Sequence, residues 1–342
     1  MKIREMSSID SEISQIIAPL QTEIAWEVES LLLKIFEYGD YSFRSALSGE
    51  YSQTLECVFF QAKNGDNLVG AAGCLYSKNN SAISIVGPVG VLQEYRSQGI
   101  GTKLIKSIIE HLKQNNCMAT YLGVNNNNPA VKLYSTLGFK QYLGIVRRLL
   151  LCEQDEFDNV YFNCNTNVKV REAVWGDFPG FQALITEPGY MYSVNYTKHI
   201  FSSKYVEPVR FLSIFPEIMK GNNKYGGLLN VLVAGEKDNI VGFANISRVP
   251  GTAQGHIAEL EYFVHDNFIK YSELLLNTTL QNISSIEKTN CFCLSCDHIK
   301  RDVIEAIGGK LTAKLTKNVF INDSYEDVLI YELRNNDEYT AM

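Results

Sequence analysis

Long apolar runs are missing from the 342-residue sequence. No segment approaches the ~18 consecutive apolar residues that a bilayer span requires, so no transmembrane helix and no membrane partner are predicted. The opening Met1-Lys2-Ile3-Arg4-Glu5 is charged where an export signal would be apolar. A basic excess is missing too: 31 Lys and Arg face 38 Asp and Glu, for a net charge of −7. A chain of that sign has no nonspecific grip on a phosphate backbone, and nucleic acid is not an expected partner. Cysteine is sparse at eight residues, too few to staple a chain this long, so free thiols in a reducing, cytoplasmic setting are expected. Cys291, Cys293, Cys296 and His298 offer four zinc-ligand types, but within eight residues they make a cramped tetrahedron. Buried thiols on a strand are the expected reading, with no metal.

What is present suffices for real cores: 46% of residues are apolar and 20% charged, a soluble globular balance, and the length suits two domains. A strand pattern at 2–6 precedes a helix expected from Ile13, Ile16, Ile17, Leu20 and Ile24, spaced three and four apart and started by Ile9-Asp10-Ser11. A further helix should run from Trp26 to Phe36 and break at Gly39-Asp40. Strands at 55–63, 67–76 and 81–92, the first two joined by Asn64-Gly65-Asp66, read as an antiparallel meander. After Gly101, the stripe Leu104, Ile105, Ile108, Ile109 and Leu112 predicts a helix ending at Gln114-Asn115-Asn116. A buried strand at 119–124, a helix from Pro129 to Gly138 and extended segments at 144–151 complete the unit.

Residues 153–167 are rich in Asp, Glu and Asn and read as a linker that partly packs, through Val160-Tyr161-Phe162. Beyond it the first half recurs at a distance of roughly 170 residues, which suits a duplicated domain. Val170-Arg171-Glu172 echoes Ile3-Arg4-Glu5, Ile240-Val241-Gly242 echoes Leu68-Val69-Gly70, and Ile307-Gly308-Gly309-Lys310 echoes Leu137-Gly138-Phe139-Lys140. The expected division is a domain at 1–151, a linker at 152–167, a second domain at 168–335 and a tail at 336–342. The acidity lies in the second half, since residues 1–150 hold 14 basic and 13 acidic side chains.

The strongest local pattern runs from Val89-Gly90-Val91 through Arg96-Ser97-Gln98-Gly99-Ile100-Gly101-Thr102, a strand passing through a glycine loop into an amphipathic helix. Such a loop converges backbone N–H groups at the positive end of a helix, where a phosphate neutralises them. The order Gly101-Thr102-Lys103 is wrong for a P-loop, and Leu104 stands where a dinucleotide fingerprint needs a third glycine. Arg-x-x-Gly-x-Gly after a strand instead resembles the acetyl-CoA pyrophosphate loop of the GCN5-related N-acetyltransferases (GNAT). Asn128-Pro129-Ala130 leading to Leu133-Tyr134 and Gly138-Phe139 is similar to that family's second motif, and it follows a helix and a strand as the family order requires. Gln93 stands where many relatives have Pro, a position without required chemistry.

The resemblance covers most of residues 1–150 and implies an α/β (α+β) chain of two tandem GNAT folds, each a twisted mixed sheet flanked by helices. It implies acetyl-CoA as cosubstrate between splayed fourth and fifth strands, with Val89, Gly90 and Val91 facing its pantetheine arm. It also implies contacts from Arg96 through Thr102 and from Asn128, and Tyr134 as the acid that protonates the leaving thiolate. Transfer to an amine, expected to be a small molecule, is the implied activity. Rival readings are a protein or peptide N-acetyltransferase and a non-catalytic acyl-CoA sensor. Glu56 and Glu94 are the nearest candidate bases, though each reads more simply as a solvated residue. The second half lacks the loop: after residues 259–264 the chain reads His265-Asp266-Asn267-Phe268, without glycine, so a degenerate copy that shapes the acceptor side or an interface is expected. Glu259 and Glu261 share one strand face and read as solvated.

Overall fold

The computed structural model describes residues 12–36, 44–187, 227–247, 253–281, 286–321 and 323–334. The strand pattern at 2–6, the helix start at Ile9-Asp10-Ser11, the break at Gly39-Asp40 and the tail lie outside them.

Strand β1 (Glu12–Ile17) pairs antiparallel with β2 (Leu55–Asn64), Ile16 opposite Phe59. This corrects the helix expected from Ile13 to Ile24. The three-four spacing is real, but Pro19 stands inside it, where it would remove a helical hydrogen bond and push Ala18 out of the helical region. The stripe divides there. Its first half joins the open edge of β2, with Gln61 Nε2 donating to Ser14 Oγ at 2.9 Å, and its end enters α1 (Thr22–Phe36).

The meander continues through β3 (Asn67–Ser77) and β4 (Ile83–Val91). After a short helix α2 (Arg44–Leu47), placed before β2, comes α3 (Ile100–Gln114) between β4 and β5 (Ala119–Gly123). Helix α3 lays Leu104, Ile105, Ile108 and Leu112, all fully buried, against Val58, Phe60, Cys74 and Leu122 of the sheet. Each such burial contributes about 1.5–3 kcal/mol. Helix α4 (Ala130–Thr136) stops at Gly138, whose φ of +92° suits a residue without Cβ. Strands β6 (Lys140–Leu143) and β7 (Val146–Leu150) complete a sheet of order β1-β2-β3-β4-β5-β7-β6.

Residues read as a linker form helix α5 (Gln154–Tyr161), and Phe157, Tyr161 and Phe162 are buried. The described chain divides into two compact units. One holds the residues up to Phe157 together with Val174–Ala183, and the other holds Asp158–Ala173 and most of the chain from Leu184 onward. Within the first unit, Trp175 packs on Tyr51 at 4.0 Å, and Gly176 donates its N–H to Thr54 Oγ1 at 3.0 Å.

The second sheet is built from β8 (Lys169–Glu172), β9 (Leu228–Ala234), β10 (Asn239–Ser247), β11 (Ile257–Val264), β12 (Lys288–Leu294), β13 (Lys310–Ile321) and β14 (Ser324–Arg334). Helices α6 (Phe178–Ile185), α7 (Ser272–Gln281) and α8 (His298–Ala306) stand between strands. Its order, β8-β9-β10-β11-β12-β14-β13, is that of the first sheet strand for strand. Ile240 to Gly242 lie on β10 as Leu68 to Gly70 lie on β3, and Ile307-Gly308 follow α8 as Leu137-Gly138 follow α4. Val170 to Glu172 form β8, whose place in the first sheet is held by β1, while Ile3-Arg4-Glu5 lie outside the described residues. Glu261 is also not solvated: it is buried on β11, opposite Asn245.

A Cβ on Gly176 would stand 2.5 Å from the Thr54 carbonyl oxygen. Gly176→Val is therefore expected to cost about 1–3 kcal/mol through overpacking. Urea denaturation checks this, and an unchanged midpoint would show that the contact is not held in solution.

Candidate active site

Strands β4 and β5 are parallel neighbours for only three residue pairs, Ile83 with Ala119, Ser84 with Thr120 and Ile85 with Tyr121. Beyond them β4 stays on β3, Gly70 opposite Val91, while β5 stays on β7, Gly123 opposite Val146. The sheet is therefore open between the last residues of the two strands, and Val89, Gly90 and Val91 line one lip. Peptide groups at such a lip lack a neighbouring strand and are free to bind a ligand.

The chain leaves that lip through a short 3-10 turn, Gln93–Tyr95, and enters α3. Two left-handed residues shape the entry, Ser97 at φ +63° and Gly99 at φ +81°. Helix α3 has no side-chain cap, and its first closing bond is from Lys103 N–H to Gly99 O at 3.0 Å. The amides of Ile100, Gly101 and Thr102 thus have no helical acceptor and sit at the positive end of a four-turn helix. Arg96 is exposed beside them, its Nε donating to Val91 O at 3.0 Å, and Gln98 Nε2 donates to Glu94 O at 3.1 Å. Gln98 Oε1 is buried without a partner. This curl with its open amides fits a pyrophosphate.

Both motifs meet here. A Cβ on Gly101 would lie 3.3 Å from Leu133 Cδ2, so a residue of α4 rests on the first turn of α3. Asn128 starts α4, its Oδ1 accepting from Ala130 N–H at 2.9 Å; its side-chain oxygen serves the helix. Tyr134, the residue after Leu133, is buried in the first core, with Phe139 edge-on at 5.9 Å. Burial pushes its phenol up to about 12.

Neither carboxylate considered as a base is well placed. Glu56 lies opposite Tyr76 and pairs with Lys78 at 3.3 Å. It is six residues along β2 from Ala62, the neighbour of Gly70, hence ~20 Å from the loop end of the sheet. Glu94 is exposed in the 3-10 turn. One residue escaped the sequence reading: Arg147, opposite Leu122 on β7, is buried, with Nη2 on Asn126 Oδ1 at 3.1 Å and Nε unpartnered. The charged pair Arg147-Arg148 inside the otherwise apolar run Ile145 to Leu151 is the available signal, because burying a charge is costly unless it is used.

In the second unit the same path lacks these features. His265 N–H bonds to Val241 O at 2.9 Å as Leu92 N–H bonds to Val69 O, and Phe268 N–H reaches His265 O as Tyr95 N–H reaches Leu92 O. Counting from those anchors, α7 begins one residue sooner than α3, and its first residue Ser272, at φ −60°, replaces Gly99. One loop amide is already taken: Asn267 N–H donates to His265 Nδ1 at 3.2 Å. Ile304 replaces Tyr134, since Gly309 N–H bonds to Ile304 O as Phe139 N–H bonds to Tyr134 O.

Residues 24–139 match the model of the acetyltransferase (GNAT) family. The first unit is a GNAT domain. The Xenopus laevis protein named "Probable N-acetyltransferase camello" is 27% identical over 117 residues, covering 34% of this chain and 53% of that protein. An N-alpha-acetyltransferase of Sulfurisphaera tokodaii is 42% identical over 55 residues, covering 16% of this chain and 33% of the other. The matches thus span about half or less of these relatives' lengths. A solved spermidine N-acetyltransferase from Vibrio cholerae, in complex with CoA and spermine, aligns at a TM-score of 0.39 and 16% identity, over 49% of this chain and 95% of its own. Among the described residues, no helix is long and apolar enough to cross a membrane.

Calorimetry with CoA is expected to find one site per chain, because only the GNAT loop of the first unit keeps its left-handed residues. Gly101→Val, pressed against Leu133, should weaken that binding at least about tenfold without unfolding the chain. Two equal sites, or unchanged affinity in the variant, would contradict the assignment.

Proposed function

We propose that the first unit binds acetyl-CoA and transfers its acetyl group to an amine, a small molecule as the first candidate. The observation that carries this reading is the juxtaposition, at Gly101 and Leu133, of an anion-ready helix entry with the helix bearing Tyr134. The cosubstrate supplies an activated acetyl thioester. Val89 to Val91 offer backbone groups to its arm and an N–H to polarise its carbonyl, Ser97 to Thr102 offer amides to its pyrophosphate, and Arg96 adds charge. Asn128 fixes the start of α4.

Tyr134 holds a proton at Oη for the leaving sulfur. With its phenol at about 12 and a free thiol near 8.5, a lone tyrosinate would lie about 5 kcal/mol above a free thiolate. The phenol therefore serves best as a hydrogen-bond donor whose proton moves as another returns from the attacking nitrogen. An aliphatic amine is only about 1 in 10³ neutral at pH 7, so deprotonation of the acceptor limits the reaction at low pH. A second reading, a peptide N-terminus as acceptor, is favoured by the name of the Sulfurisphaera relative.

Release of free CoA thiol from the full chain with acetyl-CoA and a panel of polyamines, aminoglycosides and short peptides tests the proposal; binding without release for every amine would make the unit a sensor. Tyr134→Phe should keep CoA affinity and lower kcat about 10²-fold. The sign of its pH dependence follows from burial. A raised phenol stays protonated, so kcat/KM for an aliphatic amine should climb from pH 7 towards ~10 with no Tyr134-linked fall in that range. An alkaline limb near pH 9 that vanishes in Tyr134→Phe would refute the burial argument.

A further inference from the structure

The second unit keeps an opening at the place where the first is read as holding its cosubstrate. Strands β11 and β12 pair from Ile257 with Lys288 to Leu260 with Cys291 and then separate. Past that point lies a cavity of about 360 Å³, between the end of β11, the entry to α7 and the first turns of α8. Its walls include Tyr262, Val264, Ile269, Ile299 and Val303, and Lys300 also lines it. The loss of the glycine loop and of Tyr134 has therefore not been followed by collapse.

Lys300 is the unusual group. The residue is 7% exposed and its Nζ is buried without a hydrogen-bond partner; the ammonium lies 4.9 Å from the centre of the Tyr262 ring. A π face offsets only part of what an ammonium loses on leaving water. Among the described residues, no neighbouring group hydrogen-bonds to Nζ. Cys291 and Cys293 are buried, which pushes their thiols up to about 11 and about 12 and keeps them neutral. Asp297 caps α8, its Oδ1 accepting from the Lys300 backbone N–H at 3.0 Å. Asp266 and Asp297 line the same cavity, yet neither hydrogen-bonds to Nζ. Glu261 is on the opposite sheet face, because side chains alternate along β11 and Tyr262 faces α8. The residue at the corresponding position of α4 is Ala130, counting back from Gly138 and Gly308, so the cation belongs to the second unit alone.

We propose that this cavity binds a small amphipathic carboxylate, its apolar body against the aliphatic and aromatic walls and its carboxylate on the ammonium of Lys300. Ligand binding there would complete a charge that the fold leaves unpaired, which is how a buried cation becomes a recognition element. This does not depend on acetyl transfer by the first unit.

The test uses the full chain and three six-carbon probes that share one body: hexanoate, 1-hexanol and hexylamine. Ligand-observed NMR titration should give saturable binding of hexanoate and markedly weaker binding of the other two. Lys300→Met keeps the stem and removes the charge. Because an unpaired buried charge is lost, the variant should fold at least as stably as the parent, while hexanoate affinity falls at least about tenfold. Val303→Trp, which fills the cavity from α8, should abolish binding with Lys300 in place. Absence of saturable hexanoate binding, equal binding of hexylamine, or unchanged affinity in Lys300→Met would each overturn the proposal.

Discussion

Both units depend on one constraint: two parallel strands that part after three or four residue pairs. A sheet that opens midway leaves peptide groups without partners, and the fold persists because each strand keeps its other neighbour, β3 for β4 and β7 for β5. The helix that follows the first of the two strands must then start at the mouth of the opening. Its unsatisfied amides are delivered there by topology rather than by any single side chain.

What the opening can bind is decided by a few residues at its mouth. In the first unit Ser97 and Gly99 take left-handed conformations, and the first amides of α3 are left without helical acceptors at the mouth. In the second, the entry winds into α7 one residue sooner, and His265 takes up a loop amide with its own ring while stacking on Phe162 at 4.4 Å. The residue at the matching place of α4 and α8 changes in step, from Tyr134 to Ile304. The two copies share the opening and differ at its mouth, and in the second the Nζ of Lys300 is buried beside a largely apolar cavity with no hydrogen-bond partner among the described residues.

The strands of the meander, the stripe of α3 and the stop of α4 at Gly138 were legible because each is a local pattern in apolar spacing or turn residues. The glycine loop and the Asn128 to Phe139 segment were legible for the same reason. Ile13 to Ile24 carries a helical spacing that Pro19 interrupts, and the proline, also a local signal, decides the outcome. Residues 153–167 gave no expectation of a helix: their acidic composition masks Phe157 and Tyr161, which are buried only because tertiary structure covers them.

The sequence by itself determined that the chain folds as a duplication, that one copy carries a glycine loop and that the other does not, since these are properties of residue type and order. Only the tertiary structure decided that Gly101 meets Leu133, that Glu56 lies far from the loop, that Arg147 and Lys300 are buried cations, and that the second opening persists. These are distances between residues remote in the chain. They follow from sheet order and strand register, which depend on all neighbours together and leave no local mark.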